Sequence, residues 1–236
     1  MVIGVGGVGS WTVEALARTG VGRLVLVDFD EVCVTNVNRQ LHALNGNIGR
    51  SKTGVMAERV AAIAPHCAVT AVERFFTSAS AEDILSMGCD VVVDAIDTVR
   101  DKALLLHECH RRGQAVITCG GAGGKSDPTK IRVADLAHTT HDALLKQVRK
   151  VLRREHGWAA GDLEGQGQGH PFGVPAVFAA EHSVYPQSDG TVCAEVELGS
   201  QLRLNCDAGL GTVTHMTGTF GFVAASEAIR RIVTGV

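Results

Sequence analysis

The sequence lacks the paired cysteines that would indicate a disulfide-stapled or a zinc-binding domain. Its seven cysteines are odd in number, stand at irregular spacings and include no C-x-x-C pair. We therefore expect neither a disulfide framework nor a four-cysteine zinc site, and reduced thiols are typical of the cytoplasm. Aromatic residues are also scarce, at 4%, whereas glycine is abundant, at 28 residues. This balance favours a nucleotide-binding sheet with tight loops over a β-sandwich.

The chain also lacks an excess of positive charge. A formal net charge of −3 and a pI near 6.4 provide no global basic field, so DNA is not an expected partner and an RNA would need a local patch. The dense basic stretch of the sequence consists of Lys146, Arg149, Lys150, Arg153 and Arg154. This stretch fits either a solvated helix face or an RNA contact, and the sequence leaves both open.

Long apolar runs are absent as well. No run reaches the roughly 18 residues that a membrane span needs. Residues 217–236 are rich in apolar side chains, but Glu227, Arg230 and Arg231 interrupt them. This leaves only peripheral membrane contact open. Nucleotide-loop sequence begins at Gly4, so we expect no signal peptide and a cytoplasmic protein.

Strand and helix patterns alternate along the chain. Short apolar or β-branched runs predict strands, and apolar residues every three to four positions predict helices. The predicted strands are 1–5, 23–28, 68–72, 90–96 and 115–119, and the predicted helices are 8–19, 51–64, 81–87, 99–112, 142–155 and 214–233. The pattern predicts an α/β fold: a Rossmann-like, doubly wound and mostly parallel sheet, with a loop-rich C-terminal extension and a closing helix.

The length of 236 residues fits a single domain. We expect residues 1–135 to form its nucleotide-binding core and residues 136–236 to supply substrate and dimer contacts. Six glycines lie between positions 157 and 173. Their density predicts a mobile loop there.

A glycine fingerprint follows the first predicted strand and opens the first predicted helix. It consists of Gly4, Gly6, Gly7 and Gly9. Such a turn brings backbone N–H groups at a helix start close to a phosphate. Asp28 ends the second predicted strand, where a carboxylate can accept hydrogen bonds from ribose hydroxyls, and Asp30 follows it. These features together predict nucleotide binding.

A second glycine cluster spans residues 119–126. It differs from a P-loop because Cys119 stands where the first glycine would be. Asp127 and Pro128 follow at once, so no long helix can start after Lys125. We expect a sharp turn after a strand, lining the cleft.

Further polar residues point to a triphosphate rather than to a dinucleotide. They are Asn36, Arg39, Gln40, Lys52 and Asp97. Cations would offset phosphate charge, and a carboxylate at the carboxyl edge of the sheet would hold Mg²⁺. A dehydrogenase would not need them. The set therefore predicts a site for ATP and Mg²⁺.

On these motifs the sequence resembles the ubiquitin-activating-enzyme-like (ThiF/MoeB/HesA) superfamily. The shared features are G-x-G-G-x-G at 4–9, the acid Asp28, N-x-x-R-Q at 36–40, Lys52 and D-x-x-D at 94–97. Within it, the chain looks most like the tRNA threonylcarbamoyladenosine dehydratases. The matching stretches are 31–36, 38–43, 94–97, 120–124, 185–193 and 219–224. The resemblance covers nearly the whole chain, and the absence of paired zinc cysteines agrees with it.

The resemblance implies a ligase-class enzyme that adenylates the carboxylate of threonylcarbamoyladenosine in tRNA and then closes a ring with loss of AMP. It implies that Asp28 holds the ribose, that Asn36, Arg39 and Lys52 hold phosphates, and that Asp97 binds Mg²⁺. Arg39, Lys52 and Asp97 would be the catalytic residues.

The resemblance further implies a homodimer. It leaves open a bound Na⁺ or K⁺ and a cysteine desulfurase or sulfur-acceptor system as a partner. Members usually carry an arginine-bearing segment before the first strand that reaches the partner's ATP site, and this sequence starts within that strand.

Other activities stay open at this stage. One is adenylation of the C terminus of a ubiquitin-like or sulfur-carrier protein, with Cys206 as a possible acyl-accepting thiol. Cys206 fits equally a small buried residue. An NAD-dependent oxidoreductase would explain the glycines and Asp28 but would leave Arg39, Lys52 and Asp97 unused. A non-catalytic nucleotide-binding subunit is the remaining alternative.

Overall fold

The computed structural model describes residues 1–158, 170–195 and 211–235. Most of the loop predicted at 157–173, and Cys206, lie outside these residues. The helices are α1 (Gly7–Arg18), α2 (Lys52–Ile63), α3 (Ala81–Leu85), α4 (Val99–Arg111), α5 (Ala143–Glu155) and α6 (Thr214–Thr234). The strands are β1 (Val2–Ile3), β2 (Arg23–Val27), β3 (Ala68–Val72), β4 (Val92–Asp94), β5 (Val116–Cys119), β6 (Ile131–Asp135), β7 (Pro175–Ala179), β8 (Tyr185–Pro186) and β9 (Val192–Cys193).

Seven strands of the described chain form one sheet in the order β3-β2-β1-β4-β5-β7-β6. Neighbouring strands run parallel except β6, which pairs antiparallel with β7 at the edge. The strand order reverses direction between β1 and β4. In open α/β sheets this switch point leaves a crevice at the carboxyl ends of the strands, which is where ligands bind. The predicted Rossmann-like, mostly parallel sheet is therefore confirmed.

Helices cover both faces of the sheet. One core contains side chains of α3, α4 and α5, including Ile84, Leu106 and Leu145. The other contains side chains of α1, α2 and α6, including Val13 and Phe220. Such double coverage explains why the central strands are apolar on both sides rather than alternating.

The closing helix α6 packs against α1 at unusually short distance. A Cβ atom at Gly221 would lie 2.7 Å from the carbonyl oxygen of Val8 and 2.7 Å from Cβ of Trp11. Thr12 donates its hydroxyl to the carbonyl oxygen of Gly221 at 3.2 Å. The helix that opens after the glycine fingerprint is thus anchored by the opposite end of the chain.

The predicted helices are found with bounds that shift by one or two residues. The antiparallel strand β6 and its neighbour β7 were not predicted from the sequence, and they extend the sheet into the region expected to be loop-rich. Strand β6 lies at an edge and is only partly buried, so its apolar pattern is weak. In the described parts of the chain, no helix is long and apolar enough to cross a membrane.

Candidate functional site

A cleft of about 990 Å³ opens at the switch point of the sheet. Both glycine turns border it, one after β1 and the other after β5. The sequence-predicted site residues that line it are Gly4, Gly6, Gly7, Asp28, Asp30, Asn36, Arg39, Gln40, Lys52 and Asp97. Gly9 does not line the cleft and has a packing role instead. The fold thus brings side chains from separate loops to one cavity.

The first glycine turn is shaped by close backbone contacts. Gly4 has φ +86°, and a Cβ atom there would lie 2.7 Å from the carbonyl oxygen of Ala95. A Cβ atom at Gly9 would lie 1.8 Å from the carbonyl oxygen of Gly4. Helix α1 starts at Gly7, and its N-cap residue Gly6 provides no side-chain cap. The first N–H groups of α1 therefore remain suited to an anion.

Asp28 ties the end of β2 to the glycine turn. Its Oδ2 accepts the amide of Val5 at 2.6 Å, and its Oδ1 accepts the amide of Asp30 at 2.9 Å. Burial raises the pKa of the Asp28 carboxyl, and the nearby Lys52 ammonium acts in the opposite direction. Each carboxylate oxygen can accept a further hydrogen bond, so Asp28 can still receive a ribose hydroxyl.

Lys52 opens α2 and points back to the loop after β2. Its Nζ lies 2.7 Å from Oδ2 of Asp30, and its side chain is only 7% exposed. The preceding Ser51 accepts the amide of Gly54 and caps the helix. A buried ammonium at the cleft wall, paired with a carboxylate that is half exposed, places a positive charge where a phosphate oxygen can accept a hydrogen bond from it.

The segment around Arg39 is held in place by several elements. Its carbonyl oxygen accepts Nε1 of Trp11 at 3.1 Å and the hydroxyl of Thr217 at 3.0 Å. Its guanidinium donates to the carbonyl oxygen of Thr35 at 2.7 Å, and the side chain is buried. Asn36 accepts the amide of Cys33 at 3.0 Å, which shapes the same turn. The cation is thereby pre-oriented at the cleft wall.

The two aspartates of the D-x-x-D motif have different environments. Asp94 is fully buried and pairs with Lys102 at 2.9 Å. Asp97 follows β4 and is exposed to the cleft. No cluster of three or more His, Cys, Asp or Glu side chains suited to a metal was found in the described ranges. Asp97 would therefore offer one carboxylate, which fits an Mg²⁺ held mainly by substrate phosphates.

The second glycine cluster forms the predicted turn along the cleft. A Cβ atom at Gly120 would lie 2.0 Å from Oδ2 of Asp142, which accepts the amide of Gly121 at 3.0 Å. Lys125 is buried and donates to the carbonyl oxygens of His141, at 2.8 Å, and of Glu181. The turn is thus attached to the start of α5 and to the chain after β7.

Sequence reasoning missed His42 as a site-supporting residue. It is buried, and its Nε2 lies 2.8 Å from the carbonyl oxygen of Val5 in the glycine turn. Burial lowers the pKa of the His42 imidazole to about 4, so the ring is neutral at neutral pH. A single histidine in an irregular segment has no spacing pattern, and no local signal could have identified this contact.

Of the cysteines at the cleft, the buried Cys119 is unsuited to act as a nucleophile. Cys33 and Cys119 border the cleft. Burial raises the pKa of the Cys119 thiol to about 12, which leaves it protonated and unreactive. Cys193 is exposed in β9 and does not line the cleft. The prediction for Cys206 lies outside the described residues and stays a prediction.

Comparison with known proteins agrees with this site. The model of the ThiF family matches residues 1–235. The tRNA threonylcarbamoyladenosine dehydratase of Escherichia coli is 48% identical over 232 residues, which cover 98% of this chain and 84% of that protein. The corresponding protein of Bacillus subtilis is 43% identical over 188 residues, which cover 80% and 69%.

Solved structures agree as well. The crystal structure of the E. coli dehydratase TcdA in complex with ATP has a TM-score of 0.84 and 43% identity, and covers 99% of this chain and 85% of that one. The structure in complex with AMP has a TM-score of 0.84 and 44% identity, with the same coverage. The resemblance inferred from the motifs is confirmed, and the chain belongs to the ThiF family.

Proposed function

We propose that this protein is an ATP-dependent dehydratase that converts threonylcarbamoyladenosine in tRNA into its cyclic form. The observation that carries the proposal is the convergence of Asp28, Arg39, Lys52 and Asp97 on one cleft beneath a glycine turn. The E. coli relative named for this activity is 48% identical, and its structures hold ATP and AMP. An NAD-dependent oxidoreductase would have no use for the cations Arg39 and Lys52.

The reaction uses ATP because a free carboxylate has a poor leaving group. A carboxylate oxygen of the threonylcarbamoyl group attacks the α-phosphorus, and the bond to the β-phosphate oxygen breaks with release of pyrophosphate. An atom within the modification then attacks the activated carbonyl carbon, and AMP leaves with that carboxylate oxygen. The net change is loss of one water from the tRNA and cleavage of ATP to AMP and pyrophosphate.

The cleft residues have distinct roles in the adenylation step. Asp28 accepts ribose hydroxyls, while Asn36 and Gln40 help to place the phosphates under the glycine turn. Arg39 and Lys52 stabilise the charge that develops as pyrophosphate leaves, because preorganised cations do not have to reorient during the reaction. Asp97 would hold Mg²⁺, and the metal would supply further charge neutralisation at the phosphates.

Several finer features belong to the same proposal. We expect the protein to act in the cytoplasm as a homodimer with Mg²⁺ as the metal, and we leave open whether it also binds Na⁺ or K⁺. Residues 1–135 form the nucleotide-binding core of a single domain, and residues 136–236 supply substrate and dimer contacts. Adenylation of a sulfur-carrier protein, with Cys206 as thiol and a desulfurase as partner, is the alternative, and Cys206 lies outside the described residues.

Mass analysis of tRNA nucleosides tests the proposed reaction. The protein is incubated with ATP and threonylcarbamoyl-modified tRNA, and we expect the modified nucleoside to lose one water while AMP and pyrophosphate form in equal amounts. AMP formation that does not depend on this tRNA, but is stimulated by the C-terminal tail of a ubiquitin-like protein, would reject the assignment. A larger shift of the melting temperature with NAD than with ATP would reject it as well.

Asp97→Ala tests the metal role. We expect the fold to persist and turnover to fall by about 10²-fold or more, because a carboxylate that orients a metal–phosphate complex acts on the transition state. The matched control is Asp90→Ala, since Asp90 is an exposed carboxylate at the other end of the same strand. Turnover retained in Asp97→Ala would remove the metal assignment.

A further inference from the structure

Helix α5 carries a basic face that the cleft residues do not use. Its cations are Lys146, Arg149, Lys150, Arg153 and Arg154. At 100° per residue they fall within an arc of roughly 140°. The apolar side chains Leu145, Val148 and Leu152 occupy the opposite side and are fully buried. The basic face is therefore directed away from the core.

The charges of this face are not neutralised within the part of the chain that the structure describes. None of the five cations of α5 forms an ion pair with a carboxylate of residues 1–158, 170–195 or 211–235, whereas Arg18, Arg59 and Arg230 each do. Arg149 and Arg153 have packing roles: one donates to Thr139, and the other lies over the ring of Phe172. The exposed cations are Lys146, Lys150 and Arg154, spaced four residues apart.

The basic face starts at the cleft. Asp142, Ala143 and Leu144, at the N-terminal end of α5, line the same cavity as Lys52 and Asp97. The helix then extends about 20 Å from the rim, at 1.5 Å per residue. Lys146 lies about one turn beyond the rim, Lys150 two turns and Arg154 three turns. A row of cations with this spacing fits a polyanion that leaves the cleft along α5.

We infer that the face formed by Lys146, Lys150 and Arg154 binds the phosphate backbone of the tRNA whose modified base enters the cleft. This inference rests on the proposed function. RNA is favoured over a membrane surface because the apolar side of α5 is buried in the core, and interfacial helices need an exposed apolar face. A chain with net charge −3 has no global attraction for RNA, so RNA would be held by local groups of cations such as this row.

The test compares two variants with the same change in net charge. The first is Lys146→Gln/Lys150→Gln. The control is Arg18→Gln/Arg230→Gln, whose side chains are 61% and 55% exposed on the other layer of the fold. Their carboxylate partners stay paired in this variant, because Glu14 also contacts Arg59 and Glu227 also contacts Arg231. Any difference between the variants therefore reports position rather than total charge.

Binding of threonylcarbamoyl-modified tRNA is measured over a series of potassium chloride concentrations. For the α5 variant we expect Kd to rise roughly tenfold or more, and the slope of log K against log salt to decrease in magnitude by about 1.5, because two phosphate contacts are lost. The ATP-induced rise in Tm should stay unchanged. The control variant should bind tRNA like the unaltered protein.

The outcomes separate this inference from the proposed function. Equal weakening in both variants, or no weakening in the α5 variant, would overturn the assignment of the α5 face even if the unaltered protein dehydrates tRNA. Loss of binding to anionic phospholipid vesicles with tRNA binding intact would assign the face to a membrane instead and also overturn the inference. Absence of tRNA-dependent AMP formation by the unaltered protein would reject the proposed function itself.

Discussion

A buried ion pair beneath the cleft connects the stability of the sheet to the shape of the site. Nζ of Lys102 lies 2.9 Å from Oδ2 of Asp94, and neither side chain has exposed surface. The same ammonium donates to the carbonyl oxygen of Ile96 at 2.8 Å, and the amide of Ile96 donates to Asp94 at 3.1 Å. Since Ile96 lines the cleft, the pair fixes the backbone just before Asp97.

Replacing Lys102 with Met would leave a buried carboxylate without its counter-ion. Removal of one partner of a buried pair typically costs about 3–5 kcal/mol. Asp94 keeps the hydroxyl of Thr118, at 2.7 Å, and the amide of Ile96. We therefore expect the free energy of unfolding to fall by about 3 kcal/mol at neutral pH, the lower end of that range. In Asp94→Asn/Lys102→Met no charge remains, and most of the loss should be recovered.

The loss of free energy of unfolding in Lys102→Met should depend on pH in a definite direction. Burial raises the pKa of the Asp94 carboxyl, and Lys102 opposes that rise. Without Lys102 the folded variant keeps a proton at pH values where the unfolded chain, with an ordinary Asp pKa of about 3.9, has lost it. The folded state then binds more protons, so the stability of the variant falls as pH rises through this window. The deficit should be smaller near about pH 5 than near about pH 8.

Urea denaturation of the unaltered protein and both variants, at the two pH values, measures these free energies. Lys130→Met is the control, since the Lys130 side chain is 49% exposed and its carboxylate contacts are long, at 3.6 and 3.9 Å. A Lys102→Met deficit no larger than the control's, or one that does not change with pH, would refute the reasoning.

Two further substitutions test the support of the glycine turn. Gly9→Ala should lower Tm and abolish the ATP-induced rise in Tm, because its Cβ atom would lie 1.8 Å from the carbonyl oxygen of Gly4, whereas Gly22→Ala meets no atom within 4 Å and should do neither. His42→Gln should flatten the acid side of the stability profile. Burial lowers the pKa of His42 from 6.5 to about 4, so between these values only the unfolded chain is protonated and stability rises with pH, by up to about 1.4 kcal/mol per unit. Urea denaturation across this range measures the slope, and an unchanged slope in His42→Gln would contradict the assignment.

The first half of the fold was predictable because its signals are local. The unit β1–α1–β2 contains a short apolar strand, a glycine turn and a helix with regular apolar spacing, all within residues 1–28. The same local signals predicted the position of Asp28 and Asp97 at strand ends. Strand β6 gave no comparable signal, because two of its five residues are exposed, the other three are only partly buried, and its partner β7 follows only after helix α5.

The sequence by itself determined the succession of strands and helices in the first half of the chain and the chemical character of the site. Hydrophobic periodicity, glycine spacing and the types of charged residue are properties of neighbouring positions, so they can be read locally. Only the tertiary structure decided which of two aspartates three residues apart is available to a ligand. Asp94 forms a buried ion pair with Lys102, whereas Asp97 faces the cleft. It also decided that Lys52 meets Asp30 and that α5 starts at the cleft rim. Burial and choice of partner depend on contacts between residues far apart in the chain, and no local pattern encodes them.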